Sequence, residues 1–369
     1  MKSLKHPVPP PCLDGDREID VRPLTPALSP SEGERVPVGR VRGISDDSRK
    51  FLASAVLSLF APLLLGAGIL AVATSSQAGT ITVKGSDTLL VLARKWAEVY
   101  TAKHPQTSIH VTAGDTGKGF AALQNETTDL CNASRQIKAR EIEACLKAFK
   151  KRPREYKVCL DGLTIYVNAG NPVQELSIAQ LEQIFTGKLR NWKEVGGPDL
   201  PITVYRRESG SGTSEFFKER VLKARDFSAS AKVIPGTAAL LEAVAGDPQG
   251  IGYGGSAYGT GARHLAIKKD ADSPAIEPTE EAVESGRYPI WRHLYIYLNP
   301  ALDKGEVAAY LRWIRSDEGQ AIVKEVGYYP LPKNWRLRSD EGLPRSRDIA
   351  GATAVPAFTS SPPTSFTPR

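Results

Sequence analysis

The sequence is poor in the residues that build metal and redox centres. Its 369 residues include four cysteines and five histidines, with no Cys-x-x-Cys pair and no cluster that combines the two types. Structural metal sites need such clusters, so we expect neither a metal nor a cofactor. The low cysteine count also excludes a small domain held together by disulfides. Long apolar runs are missing apart from one stretch at 51–73, which excludes a membrane protein with several spans.

What the sequence does contain is typical of a globular protein. Hydrophobic residues make up 41% and charged residues 24% of the chain. The length exceeds that of one ordinary domain and suggests two. The net charge of +7 is mild for a nucleic-acid-binding protein, and no stripe of aromatic and basic residues appears. We therefore expect no nucleic-acid partner.

Both ends of the chain differ in composition from its middle. Residues 1–43 contain many prolines and no sustained apolar period, which disfavours helix and sheet alike. We expect them to be disordered, or to be an untranslated extension upstream of the true start codon. Residues 339–369 are rich in proline, serine, threonine and alanine, and we expect a disordered tail.

Residues 44–78 have the order of a secretory signal peptide. A basic pair precedes the apolar stretch at 51–73, and Ser76-Gln77-Ala78 supplies small residues before a cleavage point. Export to the periplasm follows from this interpretation. The alternative is an uncleaved membrane anchor, because the stretch is long enough to cross about 30 Å of hydrocarbon.

Three cysteines, Cys131, Cys145 and Cys159, lie in the part expected to fold. One pair can close in an oxidising periplasm. We expect Cys131 to pair with Cys145, because a predicted strand ends near the first and the following helix holds the second. Three buried thiols are the alternative.

The apolar pattern predicts strands that alternate with helices. Strands are predicted at 80–84, 108–112, 129–132, 163–168, 202–206, 250–254 and 291–298, and the longer helices at 89–103, 139–150, 177–185 and 306–326. This alternation is typical of parallel α/β sheets. No linker divides the folded part, so two lobes would have to share the chain discontinuously.

Three predicted strand-to-helix junctions share one chemistry. Gly85–Thr88, Gly114–Gly119 and Ser209–Thr213 place glycines and small hydroxyl residues where a helix begins. A helix N-terminus carries unpaired N–H groups and a positive partial charge, so it attracts anions. Arg207 and Arg135 stand at strand ends, where a guanidinium can hold an oxyanion. Each junction alone is also an ordinary helix cap.

Two other functions of these loops are disfavoured. The loop Gly114–Gly119 lacks the Gly-Lys-Ser/Thr ending of a nucleotide-binding loop. Ser209, rather than glycine, stands two residues before Ser211, so the run is not the Gly-x-Ser-x-Gly elbow of a hydrolase. The sequence places no histidine beside Ser211 to activate it. We therefore expect a protein that is not an enzyme.

The same loops carry a family resemblance. In chain order stand Gly85-Ser86-Asp87-Thr88, Gly114–Phe120, Ala133-Ser134-Arg135, Arg207–Thr213 and Gly250-Ile251-Gly252-Tyr253. The series resembles the phosphate-binding subunit of bacterial phosphate ABC importers. The resemblance implies a type II periplasmic-binding fold, in which two α/β lobes joined by hinge strands close on a ligand in a cleft. Lobe 1 would be 79–165 with 257–338, and lobe 2 would be 166–256.

The phosphate contacts of that family transfer to this sequence motif by motif. The residues implied are Ser86, Asp87, Thr88, Leu89, Thr116, Gly117, Ser134, Arg135, Arg207, Ser211, Gly212 and Thr213. Arg135 stands where one branch has the acidic acceptor of the phosphate proton, so Asp87 or Asp115 would take that role. Ser209 replaces an aspartate that pairs with the arginine in some members, which would leave Arg207 more strongly cationic.

The resemblance implies a carrier that delivers inorganic phosphate to the permease subunits of an ABC importer, as a monomer in solution. Two alternatives belong to other classes. The stretch at 51–73 would suit a membrane-anchored module that senses phosphate or another oxyanion, or that serves in adhesion. Ser211 would suit a secreted serine hydrolase or phosphatase.

Cleavage of the signal peptide can be tested directly. We expect the protein exported by a bacterial host to begin at Gly79, because the small residues before it fit signal peptidase, and N-terminal sequencing or intact mass will show this. Recovery of the protein in the membrane fraction with residues 51–73 still attached would support the anchor instead.

Overall fold

Two mixed sheets organise the chain into an α/β structure, the class expected from the sequence. The computed structural model describes residues 79–259 and 261–336. Within them, two sheets of five strands each carry helices on both faces, and a smaller sheet has three strands.

The strands are β1 (Gly79–Ser86), β2 (Thr107–Gly114), β3 (Leu130–Ala133), β4 (Arg154–Gly162), β5 (Thr164–Asn168), β6 (Glu175–Ser177), β7 (Thr203–Arg207), β8 (Lys232–Ile234), β9 (Gly250–Gly254), β10 (Ala262–His264), β11 (Ala266–Lys268), β12 (Ala275–Ile276) and β13 (Trp291–Leu298).

The α-helices are α1 (Leu90–Lys103), α2 (Thr116–Gln124), α3 (Ala139–Phe149), α4 (Ile178–Phe185), α5 (Gly212–Arg220), α6 (Thr237–Gly246), α7 (Glu280–Glu284), α8 (Gly305–Ile314), α9 (Asp317–Val326) and α10 (Lys333–Arg336). Short 3-10 helices lie at Asp87–Leu89, Trp192–Val195, Ser256–Tyr258 and Pro300–Leu302.

The first sheet has the order β2-β1-β3-β13-β4. Strand β1 runs parallel to β2 and β3, whereas β13 runs antiparallel to β3 and β4. The α/β class is as predicted, but the sheet is mixed rather than parallel as the alternation of strands and helices suggested. The chain forms β13 only after it has returned from the second sheet, and it then enters the first sheet in the opposite direction.

The second sheet has the order β10-β5-β9-β7-β8. Strand β7 is parallel to β8 and β9, and β5 is antiparallel to β9 and β10. The chain passes from the first sheet to the second between β4 and β5. There the Asp161 carboxylate accepts a hydrogen bond from the Ser256 N–H beyond β9 (3.1 Å), so two connecting segments lie side by side. The lobe limits given above remain a prediction.

Apolar side chains pack on both faces of each large sheet. In the first sheet, one face packs around Trp96 of α1 and the other around Phe120 of α2. In the second sheet, one face packs around Phe217 of α5 and the other around Leu240 of α6. Burial of these large side chains supplies most of the drive to fold. The same packing fixes the positions of α2 and α5, which begin at the loops Gly114–Gly119 and Ser209–Thr213.

Two of the differences from the sequence prediction have a clear local cause. The helix predicted at 306–326 is divided into α8 and α9 at Ser316. The Ser316 hydroxyl donates to the Trp313 carbonyl (2.7 Å) and accepts from the Gly319 N–H (3.3 Å), so one side chain closes the first helix and opens the second. Strand β4 was not predicted, because charged residues interrupt its apolar alternation at Arg154-Glu155 and Lys157.

The cysteines in the described residues are free. Cys131, Cys145 and Cys159 are buried thiols. The predicted Cys131–Cys145 disulfide is therefore absent, and the alternative of three buried thiols holds. The Cys131 sulfur lies against Gly119 of α2 and contacts the Asn132 carbonyl (3.8 Å). Burial raises the pKa of Cys131 and Cys159 well above the usual value and that of Cys145 to about 12. High thiol pKa values make all three unreactive near neutral pH.

The predictions for 1–43, 44–78 and 339–369 lie outside the described residues. Among residues 79–259 and 261–336, no helix is both long enough and apolar enough to cross a membrane.

Close packing of α2 on β1 gives a test of this fold. A Cβ at Gly119 would lie 2.6 Å from the Gly85 Cα and 2.9 Å from the Cys131 sulfur. We expect Gly119→Ala to lower the free energy of unfolding by about 1–3 kcal/mol in urea titrations, because the helix must move off the sheet.

Gly246 at the end of α6 is the matched control. A Cβ there would meet no atom within 4 Å. Gly246→Ala should leave stability unchanged or raise it by up to about 1 kcal/mol, because alanine restricts the unfolded chain. Equal effects of the two substitutions would contradict the packing described.

Candidate functional site

The junction loops predicted from the sequence meet at one place in the structure. Strands β1 and β3 are parallel neighbours, so their carboxyl ends lie at the same edge of the first sheet. The loop after β7 of the second sheet reaches this edge, where the Gly117 N–H donates to the Gly210 carbonyl (3.1 Å). Loops from both large sheets therefore build the site.

Four buried hydroxyl groups form the centre of the site, and we call them the hydroxyl cluster: Thr88, Thr116, Ser134 and Thr213. The Thr88 and Thr213 hydroxyls are 2.7 Å apart, and the Thr116 and Ser134 hydroxyls are 3.2 Å apart. The Thr213 hydroxyl donates to Ser134 Oγ (3.3 Å) and joins the two pairs. The four residues come from four segments of the chain, and each contributes a neutral hydroxyl donor.

Two helices begin at the hydroxyl cluster. Thr116 is the first residue of α2, and Asp115 caps that helix by accepting from the Lys118 N–H (2.7 Å). Ser211 caps α5 by accepting from the Ser214 N–H (3.2 Å). The positive ends of both helix dipoles are thus directed at the cluster, which favours an anion there.

Gly212 is the point of closest approach between the two loops. A Cβ at this position would lie 2.5 Å from Thr116 Oγ1 and 2.8 Å from Ser134 Oγ. Only glycine lets the start of α5 reach the hydroxyls of the other loop.

Other predicted site residues lie beside the cluster in different ways. Ser86 ends β1 and is buried, and Leu89 is buried just before α1. The Gly117 N–H is taken by the Gly210 carbonyl and is not offered to the cluster. Ser211 acts as a helix cap, and no histidine of the described residues forms a hydrogen bond with its hydroxyl.

Arg207 is buried but is not the unpaired cation that the sequence predicted. Its Nε and Nη2 donate to the Glu208 carboxylate (3.0 and 2.8 Å), and Nη1 donates to Thr237 Oγ1 (2.6 Å). Burial lowers the pKa of the guanidinium, but Glu208 and Asp87 outweigh burial and raise the pKa overall. The expectation of a more cationic Arg207 is therefore wrong, because the adjacent Glu208 replaces the missing partner at position 209.

Asp87 faces the start of α6. Its Oδ2 accepts from the Thr237 N–H (2.6 Å) and lies 3.5 Å from Nη1 of Arg207. A carboxylate from the first sheet thus caps a helix that packs on the second sheet. Its other oxygen, Oδ1, receives no hydrogen bond within the described residues. Asp115, the second candidate proton acceptor, is occupied by Lys118.

Arg135 lies in a carboxylate network rather than in the hydroxyl cluster. Its guanidinium donates to both oxygens of Glu141 (2.8 and 2.7 Å) and forms an ion pair with Glu215 of α5. The geometry therefore does not place Arg135 in the anion site, in contrast to the sequence prediction. Arg135, Glu141 and Glu215 line a cavity of about 560 Å³ together with Arg140.

Arg292 is a site residue that the sequence analysis missed. It lies on β13, and its Nη1 donates to the Ser134 carbonyl (3.0 Å) while Nη2 donates to Thr213 Oγ1 (3.0 Å). Nε and Nη2 also hold the Asp161 carboxylate (2.9 and 2.7 Å). The available signal was a lone arginine in a strand that is otherwise aromatic and aliphatic apart from His293, since a buried charge needs a partner.

Two tyrosines fix the backbone of the loop Gly85–Thr88, which we call the first loop. The Tyr258 hydroxyl donates to the Asp87 carbonyl (2.7 Å), and the Tyr328 hydroxyl donates to the Thr88 carbonyl (2.6 Å). Both carbonyl oxygens are thereby held by protein donors next to Thr88 of the cluster. A loop fixed in this way loses little entropy when a ligand binds.

Comparison with known proteins decides the family. Residues 71–318 match a family described as PBP superfamily domain. The phosphate-binding protein PstS of Pseudomonas aeruginosa is 32% identical over 275 residues, which cover 70% of this chain and 85% of that protein. The chain belongs to the PstS family of the PBP superfamily. The phosphate-binding protein PstS of Staphylococcus epidermidis is also 32% identical, over 69% of this chain and 80% of that protein.

A solved structure extends this family assignment to the fold. The structure is that of a phosphate ABC transporter substrate-binding protein with bound phosphate from Clostridium perfringens. It is 27% identical, with a TM-score of 0.63, and covers 69% of this chain and 100% of that one. The type II periplasmic-binding fold expected for a PstS relative is thereby confirmed.

The tyrosine contacts predict a local effect on ligand binding. We expect Tyr258→Phe and Tyr328→Phe each to weaken binding of a tetrahedral oxyanion about 3- to 10-fold in calorimetry, because one hydrogen bond that orders the loop is lost. Stability should fall by about 1 kcal/mol.

Tyr288→Phe is the matched control. Its buried hydroxyl also donates to a backbone carbonyl, that of Leu163 (2.9 Å), but in the core of the second sheet. It should lose similar stability and keep its oxyanion affinity. Unchanged affinity in all three variants would refute a role for the two tyrosines in the site.

Proposed function

We propose that this chain binds inorganic phosphate in the hydroxyl cluster and delivers it to the permease of an ABC importer. One observation carries the proposal: the N-termini of α2 and α5 meet at four buried hydroxyl groups contributed by both large sheets. The PstS relatives named as phosphate-binding proteins, and the relative solved with bound phosphate, support the same ligand.

The strength of binding follows from donors rather than from free charge. Phosphate must exchange its water hydrogen bonds for protein ones. Each charge-assisted hydrogen bond contributes about 1.5–3 kcal/mol net, and each helix N-terminus about 0.3–1 kcal/mol or up to about 2 when partly buried. Micromolar affinity needs about 8 kcal/mol. The hydroxyl cluster with two helix ends reaches this value and leaves room for entropy losses.

The predicted ligand residues then divide into two groups. Direct contacts come from Thr88, Thr116, Ser134, Thr213 and the amides at the start of α5, including Gly212. Arg207 has one N–H left after its bonds to Glu208, Thr237 and Asp87, and it directs that N–H to the phosphate. Ser86, Leu89, Gly117 and Ser211 shape the loops.

Asp87 supplies the acceptor for the phosphate proton. Its Oδ1 receives no hydrogen bond from the described residues, whereas the Asp115 carboxylate is held by Lys118. A carboxylate favours a protonated phosphate and repels sulfate, which carries no proton near neutral pH.

Closure is a hinge motion at the two segments that connect the sheets. The Asp161 carboxylate and the Ser256 N–H join these segments (3.1 Å). A few residues of this kind absorb the rotation when two lobes close on a ligand. The protein acts as a monomer in the periplasm, and its partner is the permease that receives the phosphate.

The alternatives receive less support from the site. A hydrolase would need an activated Ser211, but that hydroxyl caps α5 and forms no hydrogen bond with a histidine of the described residues. Among the described residues, no group of histidine, cysteine or carboxylate side chains could hold a metal ion. An anchored sensing or adhesive module depends on residues 51–73, which lie outside the described part of the chain.

Calorimetry of the exported protein tests the proposed function. We expect phosphate and arsenate to bind at micromolar concentration or below and sulfate and molybdate to bind at least about 100-fold more weakly, because only the first two bring a proton to Asp87. Thr213→Val should lower the phosphate affinity by about 10- to 100-fold. Asp87→Asn should narrow the difference between the affinity for phosphate and the affinity for sulfate.

Thr128→Val serves as the control for the hydroxyl substitution. The Thr128 hydroxyl is also buried and shares its one hydrogen between the carbonyls of Thr82 (3.1 Å) and Leu130 (3.0 Å), away from the cluster. This variant should keep the affinity of the unaltered protein. Equal binding of phosphate and sulfate by the unaltered protein would discard the phosphate assignment.

A further inference from the structure

Arg292 and Asp161 form a buried ion pair directly behind the hydroxyl cluster. The Arg292 side chain is 3% exposed and the Asp161 side chain is fully buried (0%). Buried ion pairs are a weak source of stability, because desolvation offsets most of their attraction. The location of this pair, rather than its strength, therefore calls for an explanation.

The remaining bonds of Arg292 are directed into the site. Nη1 donates to the Ser134 carbonyl and Nη2 to Thr213 Oγ1, each at 3.0 Å. Thus the guanidinium lies between Asp161 on one side and two residues of the proposed phosphate site on the other. A carbonyl oxygen held by Arg292 is also kept from facing the anion.

The donor character of arginine fixes the direction of the Thr213 hydroxyl. A guanidinium has only N–H donors, so Thr213 Oγ1 must accept from Arg292. The hydrogen of Thr213 is then directed to another acceptor, and in the structure it goes to Ser134 Oγ (3.3 Å). A phosphate oxygen is a stronger acceptor than a hydroxyl, so it would take this hydrogen when bound.

We propose that Arg292 is a positioning residue that holds Thr213 as a donor toward the ligand and favours a doubly charged phosphate over a singly charged one. This inference rests on the proposed function. The guanidinium is closer to the hydroxyl cluster than its partner Asp161, so the ion pair presents its positive end to the ligand.

The groups whose pKa the Arg292 charge affects do not titrate near neutral pH, whereas phosphate does. The charge of Arg292 acts on Cys159 of β4, on Tyr295 of its own strand and on Tyr328 after α9, and burial raises the pKa of all three. Asp161 is its carboxylate partner. Affinity measured across the loss of the second phosphate proton therefore reports how the site distinguishes the two charge states.

The main experiment uses a double substitution in the full exported chain. Asp161→Asn with Arg292→Met removes both charges, so that no lone buried charge remains. Titrated with inorganic phosphate in a calorimeter, this variant should bind about tenfold more weakly, and its affinity should rise less with pH than that of the unaltered protein.

A second ion pair in the first sheet provides the matched control. Arg154 of β4 pairs with Asp303, away from the hydroxyl cluster. Arg154→Met with Asp303→Asn should keep both the phosphate affinity and its pH profile, even where the thermal midpoint falls. A variant at Arg292 that loses thermal stability but keeps the affinity and pH profile overturns the inference.

Coupling with Thr213 separates a positioning role from a general packing role. Thr213→Val alone and the Asp161/Arg292 double variant should not add when combined, because Arg292 acts through the Thr213 hydroxyl. Full additivity overturns the inference. If the double variant does not fold, Arg292→Lys is the substitute, because lysine retains the charge with a single donor group. This variant should keep more of the pH dependence of phosphate binding than of the phosphate affinity. An unaltered phosphate affinity in Arg292→Lys overturns the inference as well.

Failure of this inference is distinguishable from failure of the proposed function. If the unaltered protein binds no phosphate, the proposed function is wrong and this inference falls with it. If the unaltered protein binds phosphate and the variants at Arg292 bind it equally well at every pH, only the inference is wrong.

Discussion

The contact between Gly212 and the hydroxyls of Thr116 and Ser134 is the constraint on which the site depends. It joins a loop of one large sheet to two loops of the other at a distance that excludes any side chain. Around this contact the N-termini of α2 and α5 face the same space. The apolar cores on both faces of each sheet hold the two helices in place, so core packing and anion recognition are parts of one arrangement.

Charge at the site is balanced almost entirely within the protein. Arg207 is paired with Glu208, Arg135 with Glu141 and Glu215, and Arg292 with Asp161. In the proposed site, recognition therefore depends on hydrogen-bond donors and helix dipoles in a desolvated space, with one N–H from Arg207 and with Arg292 orienting Thr213. This balance also explains how the buried arginines stay charged before any ligand arrives. A carboxylate beside each guanidinium offsets the cost of removing it from water.

The sequence predicted the parts of the site that depend on local pattern. Glycines and hydroxyl residues at the start of a helix can be read directly along the chain, and Thr88, Thr116, Ser134 and Thr213 do meet in the structure. Arg292 could not be found in this way, since its partners Asp161 and Thr213 are distant in sequence and belong to other elements. Likewise, the number of arginines gave no information about which carboxylate each one faces. The mixed sheet was not predicted for the same reason: the direction of β13 is set by the path of the whole chain.

The bond between the Tyr328 hydroxyl and the Thr88 carbonyl joins residues 240 positions apart. Polypeptides emerge from the ribosome N-terminal end first, so Thr88 leaves long before its partner exists. A product truncated ahead of α9 would therefore lack one of the two tyrosine hydroxyls that hold the loop Gly85–Thr88. Both supports of that loop are thus present only when almost all of the described chain has been made.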